Sequence, residues 1–211
     1  MTIDANADWR SDLGGGTTIT LVQAGVFTTD AGTILGPVPR EMWEHLVADE
    51  LDERHRVTQA LNCLLVETPA GRVLVETGIG ERMGDRRAAQ RGVRGKPILP
   101  SLRDRGWEPG SIDYVALSHL HFDHVGGIAQ VPQADLLVSA REWAILSDPH
   151  PEREWILRQH IEIPSAKWRQ ITFEPTDDPI FEGFEGIHDL AGDGSMILLP
   201  TPGHTAGSMS M

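Results

Sequence analysis

Between Ile112 and Gly127 an apolar stretch, Ile112-Asp113-Tyr114-Val115-Ala116-Leu117, runs straight into Ser118-His119-Leu120-His121-Phe122-Asp123-His124 and then, after Val125, into Gly126-Gly127. No other segment constrains the fold as tightly. A short apolar run of this kind reads as a buried strand leading directly into the histidine cluster. The glycine pair lets the backbone turn sharply. His119, His121, Asp123 and His124 are therefore expected on a loop at a strand end.

Imidazole and carboxylate groups at this density suit a metal site. Alternate residues of a turn can aim two imidazoles at one ion while the next two residues face a second ion nearby. An isolated pair such as His119 and His121 reads equally well as a solvated loop. The full cluster, after a buried strand and before Gly-Gly, favours the metal. Cys63 is the only cysteine, so the ligands must be nitrogen and oxygen and no internal disulfide can form. Cys63 itself lies in the apolar run 61–66 and is expected to be a small core residue.

Hydrophobic patterning predicts strands at 18–27, 62–68, 72–76, 112–117, 134–140, 171–173, 196–200 and 207–211, with 62–76 a hairpin about Pro69-Ala70-Gly71. Helices are expected at 101–105, closed by Gly106, and at 142–146 and 152–161, and a long loop at 30–43. The 211 residues suit one domain. A polar segment, 1–17, is expected to precede a domain at 18–211, and the mixture of elements predicts sheets covered by helices.

Asp and Glu number 31 against 18 Lys and Arg, a net charge of −13. Such a field repels phosphate backbones and anionic membrane surfaces, so neither nucleic acid nor membrane is an expected partner. Nowhere do 18 apolar residues run together. The chain is expected to be cytoplasmic.

The segment from Ser118 to Gly127 resembles the His-x-His-x-Asp-His signature of the metallo-β-lactamase superfamily. The later segment Pro200-Thr201-Pro202-Gly203-His204-Thr205-Ala206-Gly207-Ser208 resembles the one that presents the family's third histidine. The likeness extends over 18–211 and implies an α+β fold, a four-layer αβ/βα sandwich. It implies that His119, His121 and His204 hold one metal and that Asp123 and His124 begin a second site. Asp123 would also orient a bridging hydroxide and pass a proton to the leaving group. The implied metal is zinc, two ions in the complete family site, with iron, manganese or cobalt also compatible. The chain departs from the family at Glu76-Thr77-Gly78, where many relatives carry Asp-Thr-Gly. The family's bridging Asp and last His would fall after Met211, so the chain is expected to lack the C-terminal strands and to be an incomplete hydrolase.

Within the family, residues 30–43 and the approach to His204 through 189–200 resemble the N-acyl homoserine lactonase branch. This implies a small-molecule ester or lactone substrate, a role in quorum quenching, and leaves a homo-oligomer open. A thioesterase of glyoxalase type, a mononuclear-iron persulfide dioxygenase and a non-catalytic metal-binding remnant are the alternatives. Acidity argues against a nuclease, and His121, where flavin-coupled diiron relatives carry Glu, argues against those. Phe27, Met42 and Trp43 are candidates for a pocket wall or the core. Tyr114 is expected to pack, Asp189 and Asp193 to shape turns, and the histidines at 45, 55, 150, 160 and 188 to serve surface or core.

Overall fold

The computed structural model describes residues 9–211. A strand β1 (Arg10–Gly14) folds back on the long β2 (Thr17–Asp30), followed by two short helices, α1 (Ala31–Leu35) and α2 (Arg40–Trp43). Next come the hairpin β3 (Arg56–Thr68) and β4 (Gly71–Val75), then α3 (Asp85–Gln90) and α4 (Ile98–Arg103). The strand β5 (Tyr114–Ala116) precedes a single helical turn, α5 (Phe122–Val125). The remainder is β6 (Asp135–Ser139), α6 (Ala140–Trp143), α7 (Arg158–Ile161), β7 (Lys167–Ile171), β8 (His188–Asp189), β9 (Ile197–Pro200) and β10 (Met209–Ser210).

The first seven strands form one sheet in sequence order, and β10-β9-β8 form a second. From β1 to β4 neighbours are antiparallel; from β4 to β7 they are parallel. The register pairs Val75 with Ala116 and Ala116 with Leu137, so the carboxyl ends of β4, β5 and β6 lie side by side. Ligand sites gather at such strand ends in parallel sheets.

Strand side chains alternate between faces, and here both faces are apolar. Leu65, Leu74, Val115, Leu136 and Val138 pack with Ile98, Leu102 and Ile156 in one core. Val66, Val73, Ala116, Leu137 and Ile171 meet Met196, Leu198 and Met209 of the second sheet in another. Burial on both sides explains why these strands read as near-continuous apolar runs. The mixed fold and paired sheets agree with the expected architecture. Among the described residues they supply a helical layer and two sheets.

Several elements differ from their expected form. Residues 1–8 of the polar N-terminal segment lie outside the described residues, while Arg10–Gly14 adds β1 to the sheet. β2 runs past residue 27 because Gly25, at φ +97°, absorbs a register shift between Gln23 and Val26. A side chain at Gly25 would meet the Arg94 carbonyl oxygen at 2.6 Å. The expected loop at 30–43 contains α1, capped by the Asp30 side chain on Gly32 N at 2.8 Å, and α2. The expected helix at 152–161 is two pieces, a 3-10 turn at Pro151–Glu154 and α7, because Trp155 takes a left-handed φ of 61° between them. Burying Ile156, Ile161 and His160 overrides the local preference for a continuous helix. No helix among the described residues is long and apolar enough to cross a membrane.

Candidate active site

His119 and His121 flank a fully buried leucine, Leu120, and Phe122 and Val125 of α5 are also buried. Burying a Leu, Val or Phe side chain stabilises by about 1.5–3 kcal/mol. The apolar residues interleaved with the polar ones thus pin the loop from beneath.

Backbone contacts hold α5 as well. The Thr77 N–H and hydroxyl both donate to the His124 carbonyl oxygen, at 2.8 and 2.7 Å, and Gly127 N donates to Thr77 Oγ1 at 3.1 Å. A Cβ on Gly126 would lie 1.8 Å from the Ile79 carbonyl oxygen. Only glycine permits this approach of two backbones.

This scaffold and the loop after β9 bring His119, His121 and His204 together. One nitrogen from each lies within 4.8 Å of the others. His121 Nδ1 and His204 Nε2 are 3.1 Å apart, across 83 residues of sequence. The His119 ring centroid is 4.4 Å from that of His121 and 4.7 Å from that of His204. His119 Nδ1 is engaged by the Ser118 hydroxyl at 2.8 Å, while its buried Nε2 has no hydrogen-bond partner among the described residues. A buried nitrogen left unpaired is costly unless something else meets it.

The electrostatics point the same way. Burial, then the neighbouring imidazoles, hold the His119 pKa down to about 2, and the same causes hold His121 at about 4. Both rings stay neutral near pH 7, the state in which imidazole binds metals. The three-histidine cluster therefore fits a metal ion.

Asp123 and His124, also expected as ligands, lie beside this group but not within it. The His124 ring centroid is 4.1 Å from that of His119. His124 Nε2 lies 3.7 Å from the Asp123 carboxylate, and its Nδ1 lies 3.0 Å from Glu76 Oε2 without hydrogen-bond alignment. Burial disfavours protonation of His124, but Glu76 and then Asp123 outweigh it and raise its pKa above the ordinary value.

Glu76 is thus drawn into the site. It is buried at a left-handed φ of 65°, and its Oε1 accepts from Ser118 N at 2.9 Å. One carboxylate meets both the strand end before His119 and the His124 ring.

Glu142 adds a contact that the sequence motifs do not single out. Its fully buried carboxylate accepts from Leu120 N at 2.9 Å and from the Thr205 hydroxyl at 2.6 Å. Ser139 Oγ accepts from Glu142 N at 3.0 Å, the N-cap bond of a Ser-x-x-Glu sequence, and donates to the Gly207 carbonyl oxygen at 2.5 Å. That spacing is legible as a helix start; the two partners of the carboxylate are not.

The site opens into a cavity of about 390 Å³ walled by Phe27, Ile34, Phe122 and Trp155, with His121 and His204 on its lining. Phe27 lines it as one of the expected alternatives; Trp43 is buried elsewhere and Met42 is exposed, and neither lines the cavity. His160 is buried in the core, Cys63 likewise, and Asp189 and Asp193 cap turns at Gly192, Gly194 and Ser195. The Tyr114 ring packs against the second core with the Arg169 guanidinium 5.8 Å from its centroid.

Comparison with known proteins identifies the family. A probable metallo-hydrolase of Mycobacterium tuberculosis is 32% identical over 165 residues, covering 70% of this chain and 51% of the relative. The N-acyl homoserine lactonase AttM of Agrobacterium fabrum is 26% identical over 161 residues, covering 69% of this chain and 56% of the relative. The chain spans about half the length of the curated relatives it matches. Among solved structures, a probable metal-dependent hydrolase from Staphylococcus aureus superposes with a TM-score of 0.70 at 22% identity, covering 92% of this chain and 68% of that one. The family model described as the metallo-beta-lactamase superfamily matches residues 58–211, and the chain belongs to that superfamily.

Proposed function

We propose that this chain is a metal-dependent hydrolase that opens lactones or esters. The observation that carries the reading is the convergence of three imidazoles, His119, His121 and His204, beside an apolar-walled cavity that Asp123 also lines. Similarity to an N-acyl homoserine lactonase supports the choice of bond.

His119, His121 and His204 would hold the ion, and zinc suits an all-imidazole set. Asp123 and His124 would contribute to a second ion. A bound ion of this kind supplies a Lewis acid for a carbonyl oxygen and lowers the pKa of water toward neutrality. The chain's own residues do the rest. Phe27, Ile34 and Trp155 exclude water around an acyl group. The water oxygen joins the carbonyl carbon, the acyl C–O bond breaks, and one water proton reaches the leaving alkoxide. Asp123 holds that proton in transit at its carboxylate. Glu76 keeps the His124 ring oriented through Nδ1.

The test is a screen of the zinc-reconstituted protein against acyl lactones of graded chain length, aryl esters, thioesters and phosphotriesters, with metal analysis of the same sample. Metal-dependent opening of lactones or esters, lost in His121→Ala, is expected. Thiol-dependent oxygen uptake with bound iron, or turnover confined to thioesters, would replace this reading.

A further inference from the structure

The cavity contains one feature that the hydrolytic reading leaves unused. Arg91 is the only arginine or lysine among the described residues that line it, together with His121, Asp123 and His204. Its guanidinium carbon lies 4.4 Å from the Phe122 ring centroid and 4.9 Å from that of Trp155. The backbone is anchored too: Thr28 donates to the Arg91 carbonyl oxygen from its N–H at 2.7 Å and from its hydroxyl at 3.0 Å.

Stacking on rings leaves the in-plane N–H donors of a guanidinium free, and those donors match a carboxylate in a two-pronged fork. Among the described residues no acceptor takes a hydrogen bond from the Arg91 side chain and no carboxylate lies within ion-pair distance of it. Asp123 faces His124 instead, at 3.7 Å. Burial lowers the Arg91 pKa, and Asp123 only partly restores it. A partly desolvated cation without a hydrogen-bonded counterion gains more from an anionic ligand than an exposed one does.

We propose that Arg91 is an anion subsite, so that the substrate carries a carboxylate away from the scissile carbonyl. The nature of the scissile bond rests on the hydrolase reading; the anion subsite does not. Phe122 and Trp155 hold the guanidinium in place, and the ligand's carboxylate completes its donor set.

Calorimetric titration of the zinc-loaded protein with N-hexanoylglycine and with its neutral amide tests this without turnover. The carboxylate should bind about tenfold tighter or more. Arg91→Met and Arg91→Gln should bring the two probes within about twofold of each other, while Arg91→Lys retains an intermediate preference because charge survives and the fork does not. Circular dichroism and a melting curve establish that each variant is folded. Equal affinities in the parent protein, no binding of the carboxylate, or a preference that survives in folded Arg91→Met, as direct metal ligation would give, overturns the proposal. If no ester or lactone turns over while the Arg91-dependent preference persists, the hydrolase reading fails and the anion subsite stands. Turnover of neutral lactones with no carboxylate preference removes the anion subsite and leaves the hydrolase reading in place.

Discussion

The Thr205 hydroxyl, next to His204, donates a 2.6 Å hydrogen bond to the buried carboxylate of Glu142, whose other oxygen accepts from Leu120 N between His119 and His121. A single side chain on α6 thereby ties together the two segments that carry the three clustered imidazoles. Metal sites depend on such outer contacts, because they set ligand orientation before any ion arrives.

Glu142→Ala removes both bonds and leaves a buried N–H unpaired, so it should cost roughly 2–4 kcal/mol of stability. Zinc affinity should fall about 10–100-fold. Glu142→Gln keeps an acceptor for Leu120 N and should retain most of both. Urea unfolding and competition with a chromophoric chelator measure the two effects; unchanged zinc affinity in Glu142→Ala would show that the tie is only structural.

Alanine at His119, His121 or His204 should each lower bound zinc sharply while the circular dichroism spectrum stays close to that of the parent. These rings meet one another through nitrogen atoms rather than through apolar packing, as the 3.1 Å His121–His204 contact illustrates. Full zinc content in all three variants would remove them as a ligand set.

Asp123→Asn should separate occupancy from rate. The three-imidazole cluster does not include Asp123, so much of the zinc held there should remain. Turnover should drop about 100-fold or more through lost proton transfer. Steady-state kinetics on an activated lactone, normalised to measured zinc, gives the comparison, and near-parental turnover would assign Asp123 a structural role.

His160, which meets the Phe122 backbone between His121 and Asp123, supplies a pH dependence of stability. It is fully buried, and burial first, then Arg82, hold its pKa down to about 4. The unfolded chain, with an ordinary histidine pKa of about 6.5, binds more protons than the native state as pH falls below that value. The His160 contribution is therefore complete above about pH 6.5 and is lost as pH falls toward 4, amounting to about 2 kcal/mol by about pH 5. Urea midpoints for the parent and His160→Gln at about pH 7 and about pH 5 give the difference, which should be larger for the parent. Equal pH sensitivity would mean that His160 is solvated.

Much of this protein is legible in the chain itself, for reasons of local chemistry. The hairpin about Pro69-Ala70-Gly71, the strand before Ser118 and the sequence of apolar runs are written in side-chain periodicity and turn residues, which act over a few positions. The identity of His119, His121 and His204 as one group is also readable, because so dense a cluster followed by Pro-Gly-His-Thr resembles a family signature. What the tertiary structure alone decided was long-range. Periodicity at 152–161 carries no warning that Trp155 turns left-handed, since that conformation accompanies the burial of Ile156 in a core shared with strands far away in sequence. Ser-x-x-Glu at 139–142 announces a helix start, but not that the Glu142 carboxylate joins Leu120 to Thr205, 63 residues beyond it. Glu76 reads as a one-methylene departure, and only the alignment of the β4 and β5 strand ends gives it Ser118 and His124 as neighbours. Hydrogen bonds and ring stacking between segments far apart in sequence leave no periodic trace, so Glu142 and Arg91 acquire their surroundings only when the sheet aligns its strand ends.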